Sequence, residues 1–224
     1  MTDTQLPEMM SVWHQTLGWQ PNSTQQQQFG NLYELILQGN QQLNLTRITE
    51  PMEFWEKHLW DSLRGLGALP ESVPSQLRAI DIGTGAGFPG LPVAIVHPQW
   101  QVTLLDSKGK KIAFLDTLRS TLNLSNIIAL AGRAEKIAKQ SRHRQAYDLA
   151  LIRAVGSASL CARYALPLLK SEGIAILYRG RWTEEEKVSL QKTIDSIGGT
   201  LESVDAFETP ISRSIRHCIY IRKS

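Results

Sequence analysis

The chain has 224 residues, 24 of them Lys or Arg and 21 Asp or Glu, for a net charge of +3. That length fits one domain with an extension or two small ones, and 42% hydrophobic with 20% charged residues excludes a disordered or fibrous chain. Two cysteines, Cys161 and Cys218, exclude a disulfide framework and a four-thiolate zinc site.

The start, Met1 to Met10, carries Asp3 and Glu8 and no early Lys or Arg, so it lacks the basic start and apolar stretch of a secretion signal. Leu32, Leu35 and Ile36 recur at helical spacing after the polar run Gln25 to Gln28. A second helix is expected over 52–64, with Pro51 in its first turn, where a missing N–H costs little, and Phe54, Trp55, Leu59 and Leu63 on one face. A Gly- and Pro-bearing loop, 65–75, then separates a helical extension, 1–70, from a second unit, 71–224. From there strands and helices alternate. Strands are expected over 77–82, 102–105, 127–130, 148–152 and 174–178. Helices are expected over 91–96, 111–122, 134–140, 159–169 and 183–197, the last with Thr183 as N-cap and Glu186 three residues on. Strands over 201–207 and 215–222 close the chain. The pattern predicts an α/β fold with a Rossmann-like, mostly parallel seven-stranded sheet covered on both faces. The last two strands have no helix between them and should pair antiparallel. The apolar region 149–169 is interrupted by Arg153 and Arg163, which argues against a membrane span. A cytoplasmic protein is the expectation.

The charge is unevenly placed. Residues 1–107 hold 4 Lys and Arg against 10 Asp and Glu, or −6; residues 108–224 hold 20 against 11, or +9. A basic half points to an anionic partner such as nucleic acid, although a solvated charged face gives the same pattern.

The first strand runs into Asp81-Ile82-Gly83-Thr84-Gly85-Ala86-Gly87-Phe88-Pro89-Gly90. A glycine-rich turn here lets backbone approach a nucleotide where a side chain would block it. Two ligands compete. Gly85, Gly87 and Gly90 fit the dinucleotide pattern G-x-G-x-x-G, with Asp106 placed for a ribose, which would make the chain an NAD-dependent oxidoreductase. Asp81, Gly83, Gly85 and Gly87 fit the acid-x-G-x-G-x-G loop of class I S-adenosylmethionine-dependent methyltransferases. A carboxylate before the turn would repel a pyrophosphate but can serve a cationic amino-acid moiety, so Asp81 favours the second. Asp106 accepts ribose hydroxyls in either case. At the third strand's end, Glu135 could accept an adenine amino group and the backbone at Ala134 could read the ring edge, although an acid there also suits a helix N-terminus.

Further residues carry a resemblance. Asn44-Leu45-Thr46-Arg47-Ile48, His58, Asp61-Ser62-Leu63, the stretch from Asp81 to Pro92, Leu105-Asp106-Ser107 with Lys110 and Lys111, and Arg133-Ala134-Glu135 are among them. So are Ile152-Arg153-Ala154, Leu166 to Lys170 and Ile219 to Lys223. Together they resemble the bacterial RsmG (GidB) family of 16S ribosomal RNA guanine-N7 methyltransferases, over most of the chain from about Asn44. The resemblance implies a class I methyltransferase fold after a helical extension. It implies S-adenosyl-L-methionine as cofactor, contacted at Gly83, Phe88, Asp106, Ser107, Lys108, Ala134, Glu135 and Arg153. It also supplies the target, a guanosine in the decoding-region loop of 16S rRNA. Ile152 stands where the family often has Ser, and Arg179 where it often has Lys.

The chemistry is consistent with this. Guanine N7 offers a lone pair at neutral pH, so in-line transfer needs no general base, metal or covalent nucleophile, and orientation supplies most of the rate. The five histidines show no metal-ligand spacing, and no Pro-Cys pair or Asp/Asn-Pro-Pro-aromatic tetrad marks another base-methylating chemistry. Cys161, among helical apolar residues, reads as a buried inert thiol. Arg153 would meet the donor's carboxylate or a phosphate, or else form an ion pair with Asp148 or Glu135. Lys110, Arg133 and Arg153 are the positioning candidates. Lys110, Lys111, Arg179, Arg181 and Arg216 are candidates for RNA phosphates, each open to being a solvated charge. His58, Trp55 and Trp60 could stack on a base; core is the better reading for Trp55. The expected partner is 16S rRNA or the small ribosomal subunit, with no membrane and no metal, bound by a monomer. A methyltransferase for another RNA or a small molecule stays open.

Overall fold

The computed structural model describes residues 5–70 and 74–224. The expectations for Met1 to Thr4, and the middle of the loop at the expected boundary, fall outside the described residues.

The seven strands are β1 Arg78–Ile82, β2 Gln101–Asp106, β3 Ile127–Ala131, β4 Tyr147–Arg153, β5 Leu169–Arg179, β6 Gly199–Glu208 and β7 Ile215–Lys223. They form one sheet in the order β3-β2-β1-β4-β5-β7-β6. β3, β2, β1, β4 and β5 pair in parallel, and β7 lies antiparallel to both β5 and β6, as the missing last helix requires. The interior strands are apolar on both faces. In β4, Leu149 and Leu151 point into one core layer and Ala150 and Ile152 into the other. Burial on two sides is why such strands read as continuous apolar runs.

Chain direction and right-handed crossovers decide what covers each face. The connections β1→β2 and β2→β3 place α5 (Gly90–Val96) and α6 (Gly109–Thr121) on one face. The next connections run the other way across the sheet. They place α7 (Ala134–Ile137), α8 (Ala158–Ala165) and α9 (Glu184–Ile197) on the opposite face. The first face over β4, β5 and β7 is therefore left without a helix from the alternating part, and the N-terminal extension fills it. Its helices are α1 (Met10–Leu17), α2 (Ser23–Leu43), α3 (Pro51–Phe54) and α4 (Asp61–Arg64), with a π-helical segment Trp55–Trp60 joining the last two into one continuous helix. Trp13, Phe29, Ile36, Phe54, Trp55 and Leu59 share a core layer with Leu91, Leu104, Ile176 and Tyr220. Two sheet tyrosines fasten the far end of this helix: Tyr178 Oη donates to Ser62 O at 2.9 Å and Tyr220 Oη to Gly65 O at 2.8 Å. A Cβ on Gly65 would lie 2.5 Å from the Tyr178 ring, so the close approach depends on glycine.

Several expected boundaries shift for local reasons. Pro51 does open the second helix, but the uniform helix over 52–64 has π geometry in its middle. α1 had no counterpart in the sequence reading. The helix expected over 159–169 stops at Ala165, before Pro167, whose lack of an N–H ends the ladder, and Leu169 instead pairs with Tyr147 to begin a longer β5. The helix over 134–140 is regular only to Ile137. Thr183 caps α9 as expected, accepting from Glu186 N at 3.3 Å, while the Glu186 carboxylate pairs with Arg179 rather than closing a capping box. Among the described residues no helix is long and apolar enough to cross a membrane.

Candidate functional site

The strand order reverses between β1 and β4, and open α/β sheets bind ligands in the crevice outside the strand ends at such a point. A cleft of about 640 Å³ lies there, lined by the ends of β1 to β4, within the range of small-molecule sites.

One wall is made of turns. The β1 turn bends through Gly83 and Gly85, both with positive φ. A Cβ on Gly83 would lie 2.5 Å from Val155. Asp106 sits at the end of β2 and organises this wall: Oδ2 accepts from Gly85 N at 3.0 Å and Oδ1 from Lys108 N at 2.8 Å. Each carboxylate oxygen has a second lone pair, and Asp106 lines the cleft. Ser107, Lys108, Lys111, Gly132, Arg133, Ala134 and Glu135 continue the wall from the ends of β2 and β3. This donor and acceptor set fits a nucleoside: carboxylates for ribose hydroxyls and an amino group, and bare backbone for close approach.

Asp81 takes a different place from the one its sequence position suggested. It is fully buried behind the turn rather than lining the cleft. Oδ2 accepts from Thr84 Oγ1 at 2.6 Å and Gly90 N at 2.8 Å, tying the turn to the start of α5. Oδ1 has no hydrogen-bond partner. Burial raises its pKa to about 6 against the pull of those two bonds. Gly87 is likewise a packing residue, since a Cβ there would lie 2.2 Å from Leu91.

The opposite wall is made of side chains from distant segments: Leu45 and Thr46 after α2, His58 from the π segment, Phe88, and Arg153 with Ala154 and Val155 after β4. The His58 ring stacks on Phe88, with centroids 4.3 Å apart and planes 8° from parallel. Its Nε2 lies 2.9 Å from Thr46 Oγ1 and its Nδ1 3.2 Å from Arg153 Nη2. Burial, then the charges of Arg153 and Lys57, push the ring's pKa down to about 3, so it is neutral near pH 7. Arg153 does not pair with Asp148 or Glu135. Its Nη1 donates to Lys57 O at 2.7 Å and Asp61 Oδ2 at 3.2 Å. Asp148 is engaged elsewhere, by Lys170 and Arg78 N. Asp61, buried, also holds Arg216 at 3.0 Å. A left-handed Ala154, φ 57°, follows Arg153 and turns the chain along the cleft.

The basic candidates divide. Lys111 and Arg133 line the cleft, Lys110 is exposed beside it, and Arg181 is exposed beyond β5. Arg179 and Arg216 are each already held by a carboxylate, Glu186 and Asp61. Trp55 and Trp60 are core residues, and Cys161 is buried, its thiol pushed up to about 11 by desolvation. Among the described residues no group of three or more His, Cys, Asp or Glu could hold a metal ion. The sequence reading gave no role to Leu45, Thr46, Ala154 or Val155. Asn44-Leu45-Thr46 stood out only through resemblance.

The family described as GidB, rRNA small subunit methyltransferase G, matches residues 25–217. The chain belongs to that family. Relatives in the rRNA small subunit methyltransferase G family include that of Nostoc punctiforme, 59% identical over 223 residues, covering 97% of this chain and 90% of the relative. That of Microcystis aeruginosa is 53% identical and covers 97% and 99%. Among solved structures, a mutant of the 16S rRNA (adenine(1408)-N(1))-methyltransferase from Catenulisporales acidiphilia superposes with a TM-score of 0.55. It is 14% identical and covers 66% of this chain and 84% of that one, a likeness of fold. For a member of the rRNA small subunit methyltransferase G family, the glycine turn is a methyltransferase loop, and the nicotinamide reading has no support left.

Proposed function

We propose that the protein transfers a methyl group from S-adenosyl-L-methionine to N7 of a guanine in the decoding-region loop of 16S rRNA. The observation that carries this reading is the two-walled cleft at the switch point: one wall suits a nucleoside, and the other brings Thr46, His58, Phe88 and Arg153 to the same cleft. When bound, S-adenosyl-L-methionine supplies a methyl group activated by a positive sulfur. Asp106 accepts the ribose hydroxyls, Glu135 the adenine amino group, and the backbone at Gly83, Gly85 and Ala134 allows close approach. Ser107, Lys108 and Phe88 complete the surround. Arg153, occupied by Lys57 O, Asp61 and His58, acts by holding the side-chain wall in place.

Guanine N7 carries its lone pair in the neutral base. With the donor bound, that lone pair would take the methyl carbon as the C–S bond broke, leaving the bonding pair on sulfur. No proton has to leave first, so orientation is the main task. His58 suits this role: held neutral, with both nitrogens engaged, it shapes the site without moving a proton. Lys111 and Arg133 on the cleft, with Lys110 and Arg181 around it, meet phosphates.

The test is transfer of labelled methyl to unmethylated small subunits and to their stripped rRNA. Borohydride–aniline treatment, which cuts at N7-methylguanosine, follows. One cut in the decoding-region loop is expected. Label without a cut would overturn the N7 assignment, and a cut elsewhere would overturn the target.

A further inference from the structure

Thr46 Oγ1 has two hydrogen-bond neighbours. The backbone N–H of Ile48, at 3.0 Å, donates to it. His58 Nε2 lies at 2.9 Å, and what it offers is set by the other ring nitrogen. Nδ1 faces the Arg153 guanidinium, a group with donors only. Nδ1 is therefore the bare, accepting nitrogen, and the proton of the neutral ring sits on Nε2. Nε2–H donates to Thr46. A hydroxyl oxygen has two lone pairs and one proton; both lone pairs of Thr46 are used, and only its O–H remains to offer.

That matters because Thr46 is half-buried and lines the cleft. An ordinary threonine hydroxyl cannot tell guanine from adenine at position 6, since it can donate to a carbonyl or accept from an amino group. A donor-only hydroxyl can. Guanine O6 also adjoins N7 on the same base edge, so a donor that fixes O6 aims N7.

We propose that Thr46 determines base specificity, its O–H donating to O6 of the target guanine and disfavouring the amino group of adenine. The inference rests on the guanine reading above. His58 and Arg153 are then positioning residues that fix the sense of this hydrogen bond.

The test compares wild type, Thr46→Val and Thr46→Ser on small subunits reconstituted with guanosine or 2-aminopurine riboside at the target. The latter keeps N7 and lacks O6. Thr46→Val should lose about ten-fold in kcat/KM on guanosine, near the upper end for one neutral hydrogen bond. Thr46→Ser should stay close to wild type. Wild type should prefer guanosine over 2-aminopurine, and Thr46→Val should lose about ten-fold of that preference, since a change removing either partner removes the same bond. Affinity for S-adenosyl-L-methionine, by calorimetry, should be unchanged in both variants. An intact guanosine preference in Thr46→Val would overturn the proposal. So would a matching fall in S-adenosyl-L-methionine affinity, which would assign the hydroxyl to the donor's carboxylate. Absence of methylation of guanosine by wild type would overturn the underlying reading as well, and would show before any variant is compared.

Discussion

The two walls of the cleft are built on different principles. The wall from β1, β2 and β3 is mostly backbone: glycine turns and strand ends, with both Asp106 oxygens accepting from backbone N–H groups, those of Gly85 and Lys108. The wall from the extension and β4 is side chain on side chain, and its ties span the sequence, as with Arg153 to Asp61 and Arg216 to Asp61. A wall of backbone can serve a ligand common to many enzymes. A wall of distant side chains can be shaped to one substrate, at the cost of depending on every partner in the network.

That contrast can be broken most sharply at Asp61→Ala. The side chain is 3% exposed and faces two guanidiniums, and removing one partner of a buried ion pair costs about 3–5 kcal/mol. Urea unfolding should show a loss of that size. A loss below about 1 kcal/mol would mean the side-chain wall does not depend on it. Asp106→Ala probes the backbone wall. Lost charge-assisted bonds to the ribose should weaken S-adenosyl-L-methionine by about 2–3 kcal/mol, or roughly 30- to 150-fold, with RNA affinity kept. Equal loss of both ligands would make Asp106 a structural residue.

Acid should strain the side-chain wall in particular. The unfolded His58 takes up a proton near its ordinary 6.5, the folded ring only near 3. Between those values the unfolded chain holds more protons, so this contribution is full above 6.5 and fades as pH falls toward 3. His97, lowered to about 4 by burial, acts in the same sense. Asp81, raised from 3.8 to about 6 by burial, acts oppositely: it favours the fold in acid and loses that favour as pH rises through this window. The urea midpoint should therefore drop from pH 7.5 to 5, and drop less in His58→Gln. Equal drops would exclude the ring. The smallest effect concerns the rim. Lys111→Ala should weaken RNA binding and lower its salt slope by about one, and Lys110→Ala, exposed outside the cleft, should do less. A larger effect at Lys110 would move the RNA path outward.

Legibility in the sequence follows the same division. The strand–helix alternation, the antiparallel close and the glycine turn were readable because each depends on residues adjacent in the chain. Asp81 was readable as part of the turn but not in its orientation, since only the packed structure shows Thr84 and Gly90 N–H claiming its oxygen. The partner of Arg153 was not readable at all: Asp148 and Glu135 were near in sequence, whereas Asp61 comes close only because the extension covers the sheet. α1 escaped because its eight residues give too few turns for a periodic pattern; the left-handed Gly18 that ends it was its one local mark.

The order in which the extension and its partners are synthesised has a consequence for folding. The helix from Pro51 to Arg64 leaves the ribosome before any strand, yet the groups that hold its far end, Tyr178, Arg216 and Tyr220, lie on β5 and β7. Contacts this distant close late, because loop entropy must be overcome first. Trp55 and Trp60 already find Trp13 and Thr16 of α1 as partners, but the ties of the helix's far end to the sheet wait for β5 and β7. The ties that complete the side-chain wall therefore form among the last steps of folding.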